Sequence, residues 1–142
     1  MRISAKADYA VRALLVLARL SEPGGAPVTV ERIAREGAIP PRFLEGILAE
    51  VRRGGLVDSK RGAEGGYRLA RDADQVTVAD VVRIIDGAIV QVAGRDPDDV
   101  QYPPALAAIR DVWTAAGVGA AAPMEAVTLA ALLAGSAPDF QI

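Results

Sequence analysis

The chain has 142 residues with no cysteine and no histidine, and it carries 16 basic and 18 acidic side chains. This length is typical of one domain, or a small domain with an appendage, that buries a core without disulfides or metal. The missing residue types exclude disulfides, cysteine-ligated zinc or iron–sulfur sites, serine–histidine triads and imidazole metal ligands.

Charge is distributed unevenly along the chain. Residues 1–71 carry 13 basic and 8 acidic side chains, and residues 72–142 carry 3 and 10, which gives net charges of +5 and −7. Such asymmetry indicates nucleic-acid or membrane contact on the basic side, although ordinary solvated faces explain it equally well. No segment approaches the ~20 apolar residues of a membrane span, and Asp8 and Arg12 interrupt any signal peptide. We therefore expect a cytoplasmic protein that does not enter the membrane.

Three helices are predicted in the first part of the chain. Apolar residues at helical spacing predict a helix over Ala5–Leu20 with Ser4 as its N-cap. After a loop over 21–27, a short helix is predicted over Val30–Glu36. A third helix begins at the Pro40-Pro41 pair and continues to about Arg53. Its expected buried stripe is Phe43, Leu44, Ile47, Leu48 and Val51.

A β-hairpin and more helices are predicted next. Residues 56–60 and 67–70 are predicted strands that flank a glycine-rich tip over 61–66. Val78–Asp86 is a predicted helix with a capping box. A polar, acidic loop over 91–104 precedes a helix over Pro104–Ala116, which the glycines at 117 and 119 are expected to break. A last helix over about Met124–Leu133 and a frayed tail follow.

The order of these elements indicates DNA binding. The helices 30–36 and 41–53 have the length and tight turn of a helix-turn-helix, and the hairpin after them corresponds to the wing of a winged helix. An α-helix fits the major groove, where an arginine reads guanine O6 and N7 and a glutamate accepts from cytosine N4. An arginine on a slim glycine loop enters a narrow minor groove. Each piece alone has an ordinary structural explanation, but the combination in the basic half favours DNA binding.

Candidate contacts fall into three groups. The base-reading candidates are at the start of the third helix, and the wing candidates surround the glycine-rich tip. The remaining basic residues are candidate phosphate contacts, which set affinity without reading sequence. In that order the groups are Pro41, Arg42 and Glu45, preceded by Pro40; Ser59, Lys60, Arg61, Gly65, Gly66 and Tyr67; and Lys6, Arg12, Arg52, Arg53 and Arg68.

Four segments carry a resemblance to a known family. These are MRISAKADYAVRALL at 1–15, FLE at 43–45, VRRGGLV at 51–57, and KRG through GGYRLA at 60–70. Together they resemble the Rrf-two (Rrf2) family of bacterial transcription regulators, closely up to about residue 90. The resemblance implies a mainly α fold with a small β-hairpin wing, a winged helix-turn-helix on each subunit, and a homodimer joined by a C-terminal helix. The face that matches this dimerisation role is Leu106, Ile109, Val112, Trp113 and Ala116, and a core-facing stripe within one subunit is the alternative.

The sequence departs from the family pattern at its sensor and at its wing. Many members hold an iron–sulfur cluster through three cysteines in the loop that corresponds to 91–104, and this chain has none. We therefore expect no cluster, no metal and no other cofactor, with an unidentified effector or protein partner as the remaining input. Ala63 and Glu64 replace the usual proline and glycine of the wing, and an acid there repels phosphate.

The sequence thus predicts a DNA-binding domain over residues 1–72 and a dimerisation and sensor region over 73–142. The expected function is a homodimeric repressor of a palindromic operator in double-stranded DNA. An adaptor that kept the fold and lost operator binding is the alternative, which the overall acidity and Glu64 favour. An enzyme has little support, because no nucleophile–base pair or carboxylate pair is visible.

Overall fold

A computed structural model describes residues 1–135, which form six α-helices and a two-stranded antiparallel hairpin. The tail expected after the last helix lies largely outside the described residues. The elements in chain order are α1 Ala5–Leu20, α2 Val30–Gly37, α3 Pro41–Arg53, β1 Val57–Lys60, β2 Gly66–Leu69, α4 Val78–Asp86, α5 Ile109–Glu125 and α6 Leu129–Leu133. Short 3-10 turns occupy 73–75, 97–99 and 104–106. The predicted mainly α fold with a hairpin wing is confirmed.

Helix α1 lies at the centre of the molecule. It packs against α2, α3, α4, α6 and β2. Its fully buried face carries Ala7, Ala10 and Ala13 beside Leu14 and Leu17. Because alanine side chains are short, neighbouring helices approach α1 closely. The leucines fill the remaining space, and burial of each leucine side chain stabilises the fold by about 1.5–3 kcal/mol.

Both ends of the chain's described part share this core. Val76, Val81 and Leu129 belong to the same buried cluster as the α1 and α3 residues. Backbone hydrogen bonds from Val78 to Val127 and from Leu129 to Val76 tie the start of α6 to the start of α4. The functional division at residue 72 stays a prediction, since packing is continuous across it.

Threonine caps begin three of the helices. The Thr29 and Thr77 side chains accept hydrogen bonds from the backbone of Arg32 and Asp80. The Asp80 carboxylate accepts a hydrogen bond from the Thr77 N–H, which completes the predicted capping box. Thr128 caps α6 in the same way. Each cap satisfies an N–H that the first helical turn leaves open.

The C-terminal helices differ from the prediction. Gly117 and Gly119 do not end a helix, and α5 continues through them and through Pro123 to Glu125. A glycine costs a helix only about 1 kcal/mol relative to alanine, and the alanines around these two restore the propensity. The expected first turn is a separate 3-10 turn over 104–106, and α6 begins later than expected, after the Thr128 cap.

The turn between α2 and α3 requires a left-handed residue. Ala38 has φ 51° and ψ 48°, and the N–H of Ile39 returns to the carbonyl of Ala34 at 2.9 Å. This turn buries Ile39 and sets the angle at which α3 leaves α2. A left-handed alanine is strained, because its Cβ approaches the following carbonyl oxygen.

Replacing Ala38 with glycine is expected to raise the free energy of unfolding by roughly 0.5–1 kcal/mol. Glycine removes the cost of the left-handed conformation, about 1–2 kcal/mol. Part of this gain is lost because glycine also raises the conformational entropy of the unfolded chain. Urea denaturation measures the difference. Ala49→Gly, within α3 at ordinary helical geometry, is the matched control and should lower stability by about 1 kcal/mol. A destabilised Ala38→Gly protein would contradict the strain assignment.

Candidate nucleic-acid interface

The face of α3 opposite the core presents the predicted base-reading residues to solvent. Leu44, Ile47, Leu48 and Val51 are fully buried and hold the helix against α1 and α2. Pro41, Arg42 and Glu45 are exposed at the N-terminal end of the helix. Their side chains are therefore free of packing constraints from the core.

One residue assigned to the buried stripe of α3 lies elsewhere. Phe43 is 41% exposed, and the prediction that it is buried is wrong. Its ring stacks on Tyr9 of α1, with centroids 5.7 Å apart and planes inclined by 24°. The stripe is narrower than predicted because position 43 lies at its edge, where α1 offers an aromatic partner.

The wing is held by close backbone contacts that require glycine. Residues 57–60 pair with 66–69, with Ser59 opposite Tyr67 and Lys60 opposite Gly66. Val28, just before α2, exchanges two backbone hydrogen bonds with Tyr67 at 2.7 and 2.8 Å. Gly66 has φ +151°, and a Cβ there would collide with the Val28 carbonyl. No pattern in the sequence predicts this third strand-like segment, which ties the wing to the helix-turn-helix.

Wing and helices border an open basic cleft of about 570 Å³. The N-terminal end of α2 forms one wall, the C-terminal part of α3 contributes Arg52, and the wing forms the other wall. Lys60 and Arg61 line the cleft and are exposed. Glu31 lines it as well. The lining brings the wing candidates Ser59, Lys60, Arg61, Gly65, Gly66 and Tyr67 together with Arg52, one of the phosphate candidates.

The basic candidates divide into those with partners inside the chain and those without. Lys6 pairs with Glu50 at 2.5 Å, and the side chain of Arg68 donates to the Gly25 carbonyl at 2.9 Å. Arg12 pairs with Asp8 at 2.8 Å and donates to the Ala38 carbonyl at 3.3 Å. Within residues 1–135, ion pairs involve none of Arg42, Arg52, Arg53, Lys60 and Arg61.

The predicted dimerisation face of α5 is open to solvent. Leu106, Ile109 and Val112 are 61%, 37% and 55% exposed, Ala116 is exposed, and Trp113 is half-buried. Ala121 alone is buried among the seventeen residues of α5. A core-facing stripe within one subunit, the alternative considered for this face, does not describe these positions.

Among residues 1–135, none of the helices combines the length and the apolar composition of a membrane-spanning segment.

Comparisons with known proteins agree with this geometry. The family model Rrf2, described as an iron-dependent transcriptional regulator, matches residues 3–135. A Mycobacterium tuberculosis protein with the provisional name HTH-type transcriptional regulator Rv1287 is 41% identical over 139 residues, covering 98% of this chain and 85% of its own length. The transcriptional regulator CymR of Bacillus subtilis is 35% identical over 92 residues, 65% of each chain.

Solved structures show the same fold. The structure of CymR, titled the global cysteine regulator of B. subtilis, superposes with a TM-score of 0.73 at 28% identity, covering 95% of this chain and 98% of CymR. The IscR structure from T. potens superposes with a TM-score of 0.71 at 29% identity, covering 100% and 92%.

The donor set of this chain does not fit the iron site that the family description implies. Iron and iron–sulfur sites in proteins rely on cysteine, histidine or clustered carboxylates. The sequence has neither cysteine nor histidine, and the described residues contain no group of three acidic side chains placed to hold a metal. Family membership rests on the match in sequence and fold and does not depend on an iron site. The chain belongs to the Rrf2 family of transcriptional regulators.

Proposed function

We propose that the protein is a homodimeric repressor that binds a palindromic DNA operator in the cytoplasm. The observation that carries this proposal is the joint exposure of the α3 N-terminus and of the wing, whose Lys60 and Arg61 line a basic cleft together with Arg52. A dimer of such subunits holds two half-sites about one helical turn apart and blocks a promoter by occupying it. The relatives compared above are named as transcriptional regulators, so the adaptor alternative gains no support.

Base reading is assigned to the start of α3. Arg42 is suited to the two acceptors of guanine, and Glu45 to the amino group of cytosine. Pro41 fixes the first turn of the helix, because its φ is already that of an α-helix and its missing N–H would have no partner there.

Phosphate contact is assigned to the unpaired basic residues. Arg52, Arg53, Lys60 and Arg61 have donors to spare, whereas Lys6, Arg12 and Arg68 have acceptors within the chain. A cation that already has a partner gains less from a phosphate, since part of its charge is neutralised. We infer that the last three mainly position the helices and the loop over 21–27.

Dimerisation is assigned to α5. Ile109, Val112, Trp113 and Ala116 recur at helical spacing on one side of the helix, with Leu106 before them. Soluble proteins rarely leave such a continuous apolar stripe uncovered unless it is an interface. An input signal, if the protein has one, involves no cysteine-ligated cluster and shifts the relative orientation of the two wings.

Changing Lys60 and Arg61 together to alanine is expected to weaken DNA binding by roughly tenfold and to flatten its salt dependence. Each lost phosphate contact reduces the log–log salt slope by about 0.9. Fluorescence anisotropy on DNA from upstream of the protein's own gene measures both quantities. The control is Arg71→Ala with Arg95→Ala, which removes two charges outside the cleft and should leave the slope unchanged. Equal effects of the two pairs would show that only net charge matters.

Replacing Glu64 with glutamine is expected to tighten DNA binding, by about twofold to fivefold at low salt. Glu64 is exposed at the wing tip, so the loss of its charge removes repulsion from phosphate without disturbing the core. The gain should vanish at high salt, where surface charges are screened. Unchanged affinity at all salt concentrations would place the wing tip away from the DNA backbone.

Changing Val112 to glutamate is expected to weaken the dimer by roughly tenfold or more, because the interface would bury an unpaired carboxylate. Sedimentation velocity across a dilution series measures the dissociation. Val118 is 67% exposed on another side of α5, and Val118→Glu is the matched control that should remain dimeric. A dimer unaffected by Val112→Glu would move the interface away from this face.

A further inference from the structure

Four side chains from two helices form a continuous stack beside the α3 N-terminus. The Arg12 guanidinium carbon lies 5.4 Å from the centre of the Tyr9 ring, Tyr9 stacks on Phe43, and the Arg42 guanidinium carbon lies 4.7 Å from the centre of the Phe43 ring. The order is therefore cation, aromatic, aromatic, cation. We call these four residues the aromatic stack.

The two ends of the aromatic stack differ. Arg12 is anchored, because it pairs with Asp8 and donates to the carbonyl of Ala38 in the helix-turn-helix turn. Arg42 is open: among residues 1–135 it takes part in no ion pair. The stack thus connects a fixed arginine on α1 with an arginine whose donors are available to a ligand.

Contact with an aromatic ring constrains an arginine in a useful way. A guanidinium that lies over a ring uses its face, so the N–H groups along its edge remain free to donate. A bidentate contact with guanine needs these N–H groups in one plane and in a fixed direction. A long exposed arginine otherwise samples many rotamers, and ordering it on binding costs affinity.

Packing alone does not account for Phe43. The buried face of α3 is formed by Leu44, Ile47, Leu48 and Val51, while Phe43 remains 41% exposed. Its ring contacts Tyr9 of α1 and the guanidinium of Arg42. Its position next to Arg42 in sequence places the ring within reach of that side chain on the same helical turn.

We propose that Phe43 and Tyr9 are specificity-determining positioning residues, which hold the Arg42 guanidinium by its face so that its edge reads a guanine. This inference rests on the proposed function and adds to it the residues that prepare the base-reading side chain. Phe43 and Tyr9 act through Arg42 and need not touch the DNA themselves.

The test is a double-mutant cycle on sequence discrimination. The probes are a duplex that the wild-type protein enriches from a random library and a scrambled duplex of the same composition. Phe43→Leu is expected to lower the ratio of the two affinities by about twofold to fivefold, the range of an exposed cation–π contact. Phe43→Tyr, which keeps the ring, should retain the wild-type ratio. In an Arg42→Ala background, Phe43→Leu should leave the ratio unchanged.

The outcomes separate this inference from the function on which it rests. If the wild-type protein enriches no sequence, the proposed function fails, and this inference fails with it. If an operator is enriched but Phe43→Leu leaves the ratio unchanged, or lowers it equally without Arg42, the positioning role alone is wrong. Affinity for the scrambled duplex and the thermal unfolding midpoint report whether each variant is folded, and Phe43→Leu should change neither appreciably.

Discussion

The packing of α1 against its neighbours is the constraint on which the rest of the structure depends. Five elements meet on one helix, and they can do so because Ala7, Ala10 and Ala13 present almost no side chain at the contacts. The same helix contacts α3, α4 and α6. The position of the recognition helix is therefore coupled to the position of the elements that lead to α5. Helix α5 packs on α4, and α4 in turn packs on both α1 and α3.

Much of this architecture could be predicted from sequence because it rests on local chemistry. Ser4 caps α1 and a capping box begins α4, both as predicted, and two strands flank the glycine-rich tip. Prediction from sequence fails where long-range contacts decide the outcome. The stack of Phe43 on Tyr9 joins residues 34 positions apart, and the pairing of Val28 with Tyr67 joins residues 39 apart, so neither leaves a periodic pattern. The predicted helix end at Ala116 falls short because the alanines around Gly117 and Gly119 sustain α5 to Glu125.

The sequence predicts which residues make up the candidate site, but not which of them are free to contact a ligand. Sequence alone cannot distinguish a free arginine from one that is already paired, because the partner is distant. Lys6 reaches Glu50 and Arg68 reaches Gly25, so both are occupied within the chain. The four basic residues around the cleft and α3 are the ones left to meet phosphate. The distances between side chains thus show which basic residues have partners within the chain and which are available to a ligand.

The central claim is sequence-specific DNA binding by this surface, and anisotropy of the wild-type protein on its own upstream DNA, against scrambled competitor at two salt concentrations, tests it most directly. The account predicts tight, competitor-resistant binding whose affinity falls steeply with salt, at a log–log slope of about −0.9 for each phosphate neutralised. Equal affinity for the two duplexes, or a flat response to salt, would contradict it.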